Sequence, residues 1–250
     1  MVSKWELRLL GCWQLFRDGS PVTLGIRQQR LIAVLALSGP CARPYIGGLL
    51  WPESSQSQAA GSVRAAVFKL RHELPGLLAE GADPVSLCEG VRVDALELRR
   101  SVDPESVGAV LAPGIEDRLA GHELLPGWYD DWVIFQQERW QGFRMAALEA
   151  IARHRLEAGH AGSAITAAER AAEIEPLRES PQALLIRAQI LAGDAAAAVR
   201  SHERFRNLLW EEMGLKPSAQ FREALGAHLA PRHAELSSAS AEIRQPVGVR

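Results

Sequence analysis

Residues 61–74, GSVRAAVFKLRHEL, put three cations and a histidine on one helical stretch with a phenylalanine. At 3.6 residues per turn, Val63, Ala66, Val67, Leu70 and Leu74 fall on one stripe, which reads as the core side. Gly61, Arg64, Phe68 and His72 fall opposite, with Arg71 at one margin and Ser62 and Lys69 at the other. Those residue types suit recognition rather than bond breaking. Guanidinium and ammonium groups donate to phosphate oxygens and guanine edges, and an outward ring can pack on a thymine methyl or a sugar edge of double-stranded DNA. Gly61 and Ala65 are small enough to let such a helix approach closely. The competing reading packs Phe68 under a neighbouring hairpin or a second domain and leaves ordinary solvated cations around it. The residues of this stretch leave the two even.

Charge distribution favours the first. The chain carries 28 Lys and Arg against 30 Asp and Glu, a net charge of −2, which does not describe a general polyanion binder. Yet residues 27–72 hold Arg27, Arg30, Arg43, Arg64, Lys69 and Arg71 against the single acid Glu53. A local cationic face on a mildly acidic whole fits a protein that touches phosphate with one patch.

Catalytic constellations are missing from the sequence. There is no G-x-x-x-x-G-K-[ST], H-E-x-x-H or G-x-S-x-G. The seven histidines are dispersed, and His154 and His160 stand six apart, which does not align them on one helix face. Cys12, Cys41 and Cys88 form no C-x-x-C pair, so neither a disulfide framework nor a metal site is indicated. The longest apolar run, LIAVLAL at 31–37, is too short to cross a bilayer, and MVSKWELRLL lacks the apolar core of a secretion signal. The expectation is a reduced, cytoplasmic protein that is not an enzyme and carries no cofactor.

The elements that must position the cations read as follows. WELRLLGCWQLFRD and PVTL, separated by the turn residues DGS, predict a small antiparallel meander over 4–24. IRQQRLIAVLALSG predicts a helix ended by glycine and proline; YIGGLLWPE predicts a short helix stopped by Pro52. SSQSQAAG offers serine caps ahead of the long helix through Leu74. PVSLCEGVRVD then reads as two short strands around an acid-glycine turn, with Arg92 the only cation on that hairpin. Arg92 either reaches DNA or pairs with Glu89 or Asp94. A short helix, an extended turn and a longer helix make a helix-turn-helix-like unit, and the whole order is that of a winged helix.

From residue 101 the pattern turns helical and rich in Ala, Leu, Glu and Arg. AGHAGSAITAAER from Ala158 is echoed by AGDAAAAVRSHER from Ala192. The echo repeats Gly159 at Gly193, Ala164 at Ala198 and Glu169-Arg170 at Glu203-Arg204, the spacing of a tetratricopeptide repeat. In GWYDDWV, Trp128 and Trp132 are expected to anchor this helical domain from one face. The tail from Pro231 lacks periodicity and reads as disordered.

Residues 5–226 resemble the Streptomyces antibiotic regulatory protein family, which joins an OmpR/PhoB-type winged helix to a bacterial transcriptional activation domain. The resemblance is carried by LLGCWQLFRDGSPVTL, LWPESSQSQAAGSVRAAVFKLRHEL, VRVDALELRRSV, HELLPGWYDDWV and the long stretch from EPLRESP to EEMGLKPSAQFREAL. It implies an α+β winged helix over 1–100, an all-α tetratricopeptide-like domain over 101–230, and a tail over 231–250. It also implies binding to direct-repeat promoter sites as a side-by-side pair, a homodimer on DNA, and recruitment of RNA polymerase holoenzyme as an activator. Carried over by position, 59–74 becomes the recognition helix, with Arg64, Lys69 and Arg71 as its contacts; in the mechanism expected here, backbone amides and Arg27, Arg30 or Arg43 position phosphates. The sequence departs from the family in lacking an aromatic-glycine wing tip. The rival reading is a protein-interaction module that uses a groove in the helical repeat, with DNA binding lost or accessory.

Overall fold

The computed structural model describes residues 4–81, 83–102 and 114–223; the expected tail at 231–250 lies outside them. The chain divides into two compact units. The first takes in residues through Ser101 and also His122–Gly142; the second takes in Val102–Gly121 and the chain from Phe143 onward.

In the first unit β1 (Trp5–Arg8), β2 (Gln14–Arg17) and β3 (Ser20–Val22) form the expected antiparallel meander, with Leu7 opposite Leu15 and Phe16 opposite Pro21. Alternation sends Trp5, Leu7 and Leu15 inward, each at most 2% exposed. Three helices follow: α1 (Ile26–Ser38), α2 (Arg43–Leu50) and α3 (Gln56–Glu73). Gly39, at φ 75°, ends α1 in a region where a side chain would be strained. α3 begins three residues earlier than expected, because Ser55 is its cap: the Ser55 hydroxyl accepts from the Gln58 N–H while Gln58 Oε1 accepts from the Ser55 N–H at 3.1 Å. Of the predicted core stripe Val63, Val67, Leu70 and Leu74 are buried and Ala66 is half-buried, while Ala59, one turn earlier, adds to the packed side.

The closing hairpin is real but displaced. Its arms are 77–79 and 85–88: Leu78 faces Leu87, Ala79 N–H donates to Ser86 O at 2.9 Å, and Cys88 N–H donates to Leu77 O at 2.9 Å. Cys41 adds a third short strand by exchanging two bonds with Val85. The expected hairpin around Glu89-Gly90 does not form. The turn is there, with Val91 N–H on Cys88 O, but its second arm leaves as β4 (Arg92–Val93) and pairs in parallel with β1. Arg92 therefore is not on the wing. It forms an ion pair with Glu97 at 2.7 Å, not with Glu89 or Asp94.

β4 leads directly into α4 (Asp94–Ser101). The Asp94 carboxylate accepts from the N–H groups of Leu9 and Leu10 at 2.9 and 3.1 Å, tying the end of β1 to the start of α4. His122–Gly142 joins this unit by backbone pairing: Leu125 N–H donates to Leu9 O and Gly11 N–H to Glu123 O, both at 2.8 Å. Trp128 and Trp132 belong to this segment, so they anchor the first unit rather than the helical one. Trp128 precedes α6 (Asp131–Glu157), so the two do not share a helix face.

The second unit holds α5 (Ile115–Gly121), the later part of α6, α7 (Ala161–Ile174), α8 (Glu179–Leu191) and α9 (Ala195–Met213). The 34-residue echo is structural. Gly159 and Gly193 both turn left-handed, at φ 77° and 82°, and His160 and Asp194 each donate to the carbonyl five residues back. That is the Schellman closure of α6 and of α8, the helix that precedes each copy of the echo. Ala164 and Ala198, at matching places, are fully buried, as close helix packing requires. α8 lies between α7 and α9, and Ile186, Ala198, Phe205, Leu209 and Phe221 form a core under it. Two of the diagnostic motifs meet here, since the Glu179 carboxylate of PLRE accepts from both the N–H and the hydroxyl of Ser218 in KPS.

Candidate nucleic-acid interface

The outer face of α3 is open. Phe68 is 74% exposed, and its ring lies parallel to that of His72 with centroids 6.3 Å apart. The four-residue spacing places both rings on one side of the helix. Phe68 thus packs neither under the hairpin nor into the core. Arg64 is also exposed on this side and forms no ion pair among the described residues. Lys69 is held loosely by Glu73, four residues on, at 3.8 Å. Ser62 is half-buried at the margin. A Cβ on Gly61 would meet only the mobile end of Arg64 at 3.9 Å, so space beside this turn is free.

Arg71 has a different position from the other two cations. Its guanidinium donates to the carbonyls of Ala79 and Gly81, so it clamps the wing loop against the end of α3. Arg43, the first residue of α2, is drawn to the same loop by its backbone N–H, which donates to Asp83 Oδ1 at 3.0 Å. The end of α3, the start of α2 and the wing are therefore mutually braced. Asp83 was not singled out from sequence; an aspartate before proline in a loop carries only a turn signal.

Between α2 and the first half of α3 runs a groove of about 620 Å3 lined by Arg43, Gly48, Trp51, Ala60 and Arg64, with no acid among its lining residues. Gly47 makes the helix crossing possible, since a Cβ there would touch the Cβ of Ala59 at 3.4 Å. Arg43 and Arg64 are thus brought to one place. Arg27 is exposed in the first turn of α1 and does not line this groove. Arg30 is engaged with Asp130 at 3.1 Å, and Arg92 with Glu97. Gln28, buried on α1, donates to Glu73 at 3.2 Å and so fixes the far end of α3. Its signal in the sequence was a single amide on an otherwise apolar stripe.

Among the described residues no cluster of three or more His, Cys, Asp or Glu side chains could hold a metal ion. No described helix is long and apolar enough to cross a membrane. The arrangement offers hydrogen-bond donors and an exposed ring on a rigid helix, which is the chemistry of recognition.

Comparison with known proteins bears on the fold and on the helical unit. Residues 119–227 match the bacterial transcriptional activator domain. Regulatory protein AfsR of Streptomyces coelicolor is 30% identical over 252 residues, covering 94% of this chain. The chain spans 25% of the length of that relative. Among solved structures, Mycobacterium tuberculosis EmbR in complex with a low affinity phosphopeptide superposes with a TM-score of 0.69 at 22% identity, over 95% of this chain and 70% of that one. That likeness carries the fold. A winged helix with its wing braced to α3, followed by a helical repeat that matches the bacterial transcriptional activator domain, is the architecture expected of the Streptomyces antibiotic regulatory protein family that the sequence resembles.

Proposed function

We propose that the protein is a sequence-specific activator that lays α3 in the major groove of direct-repeat promoter DNA and recruits RNA polymerase holoenzyme. The observation that carries this reading is the open row Arg64–Phe68–His72 on a helix whose opposite side is packed through Val63, Val67 and Leu70. Arg64 and Lys69 are the base-edge or phosphate donors, Phe68 and Ser62 supply the close apolar and hydroxyl contacts, and His72 extends the row. Arg43 and Arg27 sit on phosphates, and Arg71 acts through the wing it holds. Arg92, committed to Glu97, contributes at most a peripheral charge. Direct repeats present identical faces in tandem, so two copies on DNA meet head to tail, through unlike surfaces of each. Such a regulator acts in the cytoplasm.

The test is retention of fragmented genomic DNA from the source organism by wild type and by an Arg43/Arg64/Lys69 triple-alanine variant, followed by sequencing. Fragments sharing a direct repeat, and lost in the variant, are expected. A base contact by Arg64 is worth roughly 1–3 kcal/mol and its loss relaxes preference at one position; a phosphate contact weakens all sequences alike and lowers the salt slope by about one. Equal retention by both proteins would refute the assignment.

A further inference from the structure

The helical unit has a polar groove of its own. About 540 Å3 in volume, it runs over α8 between α7 and α9. Its floor is unusual for an alanine-leucine repeat, because Gln189 and Ser201 are polar and only 8% and 5% exposed. Gln189 Oε1 is covered, yet no described group donates to it. A buried amide acceptor without a donor is a costly group to keep unless something supplies the missing hydrogen bond. The two walls differ in sign. α7 contributes Glu169 and Glu173, and α9 contributes Arg200 and Arg204. Glu173 is engaged by Arg170 at 2.9 Å, whereas Arg200 and Arg204 have no ion pair among the described residues.

We infer that this groove binds an extended polypeptide segment carrying acidic side chains at alternate positions. Three observations converge on that ligand. An amide floor is matched by a peptide bond, which offers both a donor and an acceptor, whereas a simple anion offers no donor. Arg200 and Arg204 stand four apart, so they project from one face of α9 about 6 Å from each other. Alternate side chains of an extended chain are spaced about 6.6 Å apart on one side, which sets two carboxylates against the two guanidiniums. The residue between those carboxylates points the other way, toward Glu169, and a basic side chain suits it there. The expected signature is acid, base, acid. A groove of this size accommodates such a tripeptide core. Nothing in this assignment depends on whether α3 holds DNA.

The probe is a phage-displayed library of random dodecapeptides, panned on the full chain. Enrichment of peptides with acids two apart is expected, with binding weakened at least tenfold by the Arg200→Glu/Arg204→Glu pair, whose side chains are exposed and do not support the core. Gln189→Leu should weaken the same peptides several-fold while circular dichroism stays unchanged and the melting temperature holds or rises, since the substitution removes an unpaired buried acceptor. Ala197→Trp, which fills the groove from its rim, should abolish retention. No enrichment over the Ala197→Trp protein, or enrichment that the charge-reversed pair leaves intact, would overturn the site. Displacement of the selected peptides by free aspartate at the same concentration would show a small-anion site and overturn the polypeptide assignment.

Discussion

Replacing Phe68 by alanine should leave the first unit almost as stable as before, while replacing Leu70, two residues on, should cost several kcal/mol. A phenylalanine buries about 150–250 Å2 when fully covered. At 74% exposure only a quarter of the ring is shielded. That is about 50 Å2, worth about 1 kcal/mol at 25 cal/mol per Å2. Part of this comes from His72 on the same helix, a contact that does not hold the helix to anything else. Leu70 is fully buried in the stripe facing the core, and its truncation should cost about 2–5 kcal/mol, transfer and cavity together. Urea unfolding followed by circular dichroism separates the two, provided the slopes stay equal. Binding to the selected promoter fragment should show the opposite order once both variants are held well below their midpoints, with Phe68→Ala weakened and Leu70→Ala near wild type. A Phe68→Ala midpoint as low as that of Leu70→Ala would mean the ring is packed, and the reading of α3's outer face as a docking row would fail.

Other outcomes follow from particular contacts. Asp94→Ala strands the N–H groups of Leu9 and Leu10 and should cost about 2–6 kcal/mol by urea unfolding, since each orphan donor costs about 1–3. Burial, only partly offset by those N–H groups, holds the Asp94 carboxyl above its ordinary 3.8. The folded chain then keeps a proton that the unfolded chain loses earlier. Stability tied to this group is therefore fully present below 3.8 and declines as pH rises through the folded value. The difference between wild type and Asp94→Asn, measured from pH 3.5 to 7, should show that slope; a difference that grows with pH would contradict it. Gly214 caps α9 at φ 66°, so Gly214→Ala should lower stability by about 1 kcal/mol without changing the slope of unfolding, and an unchanged midpoint would count against that cap.

What could be read from the sequence was local, and what could not was paired across distance. The core stripe of α3 is written in five residues spaced to one helix face, and the structure buries all but Ala66 among them. The repeat was equally legible, because Gly159 and Gly193 serve the same left-handed closure and a non-alanine match of that kind has a backbone cause. The strand signals around Glu89-Gly90 were sound as local patterns but assigned to each other. Val85 is claimed by Cys41, 44 positions earlier, and Val93 by Leu7, so the acid-glycine turn separates two sheets instead of joining one hairpin. No alternation within ten residues can report that choice. The same holds for HELLPGWYDDWV, whose company was inferred from its neighbours in sequence. Its backbone bonds go instead to Leu9 and Gly11, more than a hundred residues before it.

The site follows the same division. Exposure of Arg64, Phe68 and His72 came from helical periodicity alone, but three cations of similar appearance have three different fates. Arg30 meets Asp130, Arg71 reaches the wing carbonyls, and Arg92 meets Glu97. A count of positive charges treats these as equal to Arg64. Only the fold separates cations that hold the scaffold from those left to hold something else, and that distinction argues for reading Arg71 as a positioning residue. If it is one, Arg71→Ala should loosen the wing and weaken binding on every sequence, while Arg71→Lys, which keeps the charge but loses the forked donor, should restore little of it. Full recovery by lysine would show that the charge itself, and not the clamp on Ala79 and Gly81, is what DNA feels.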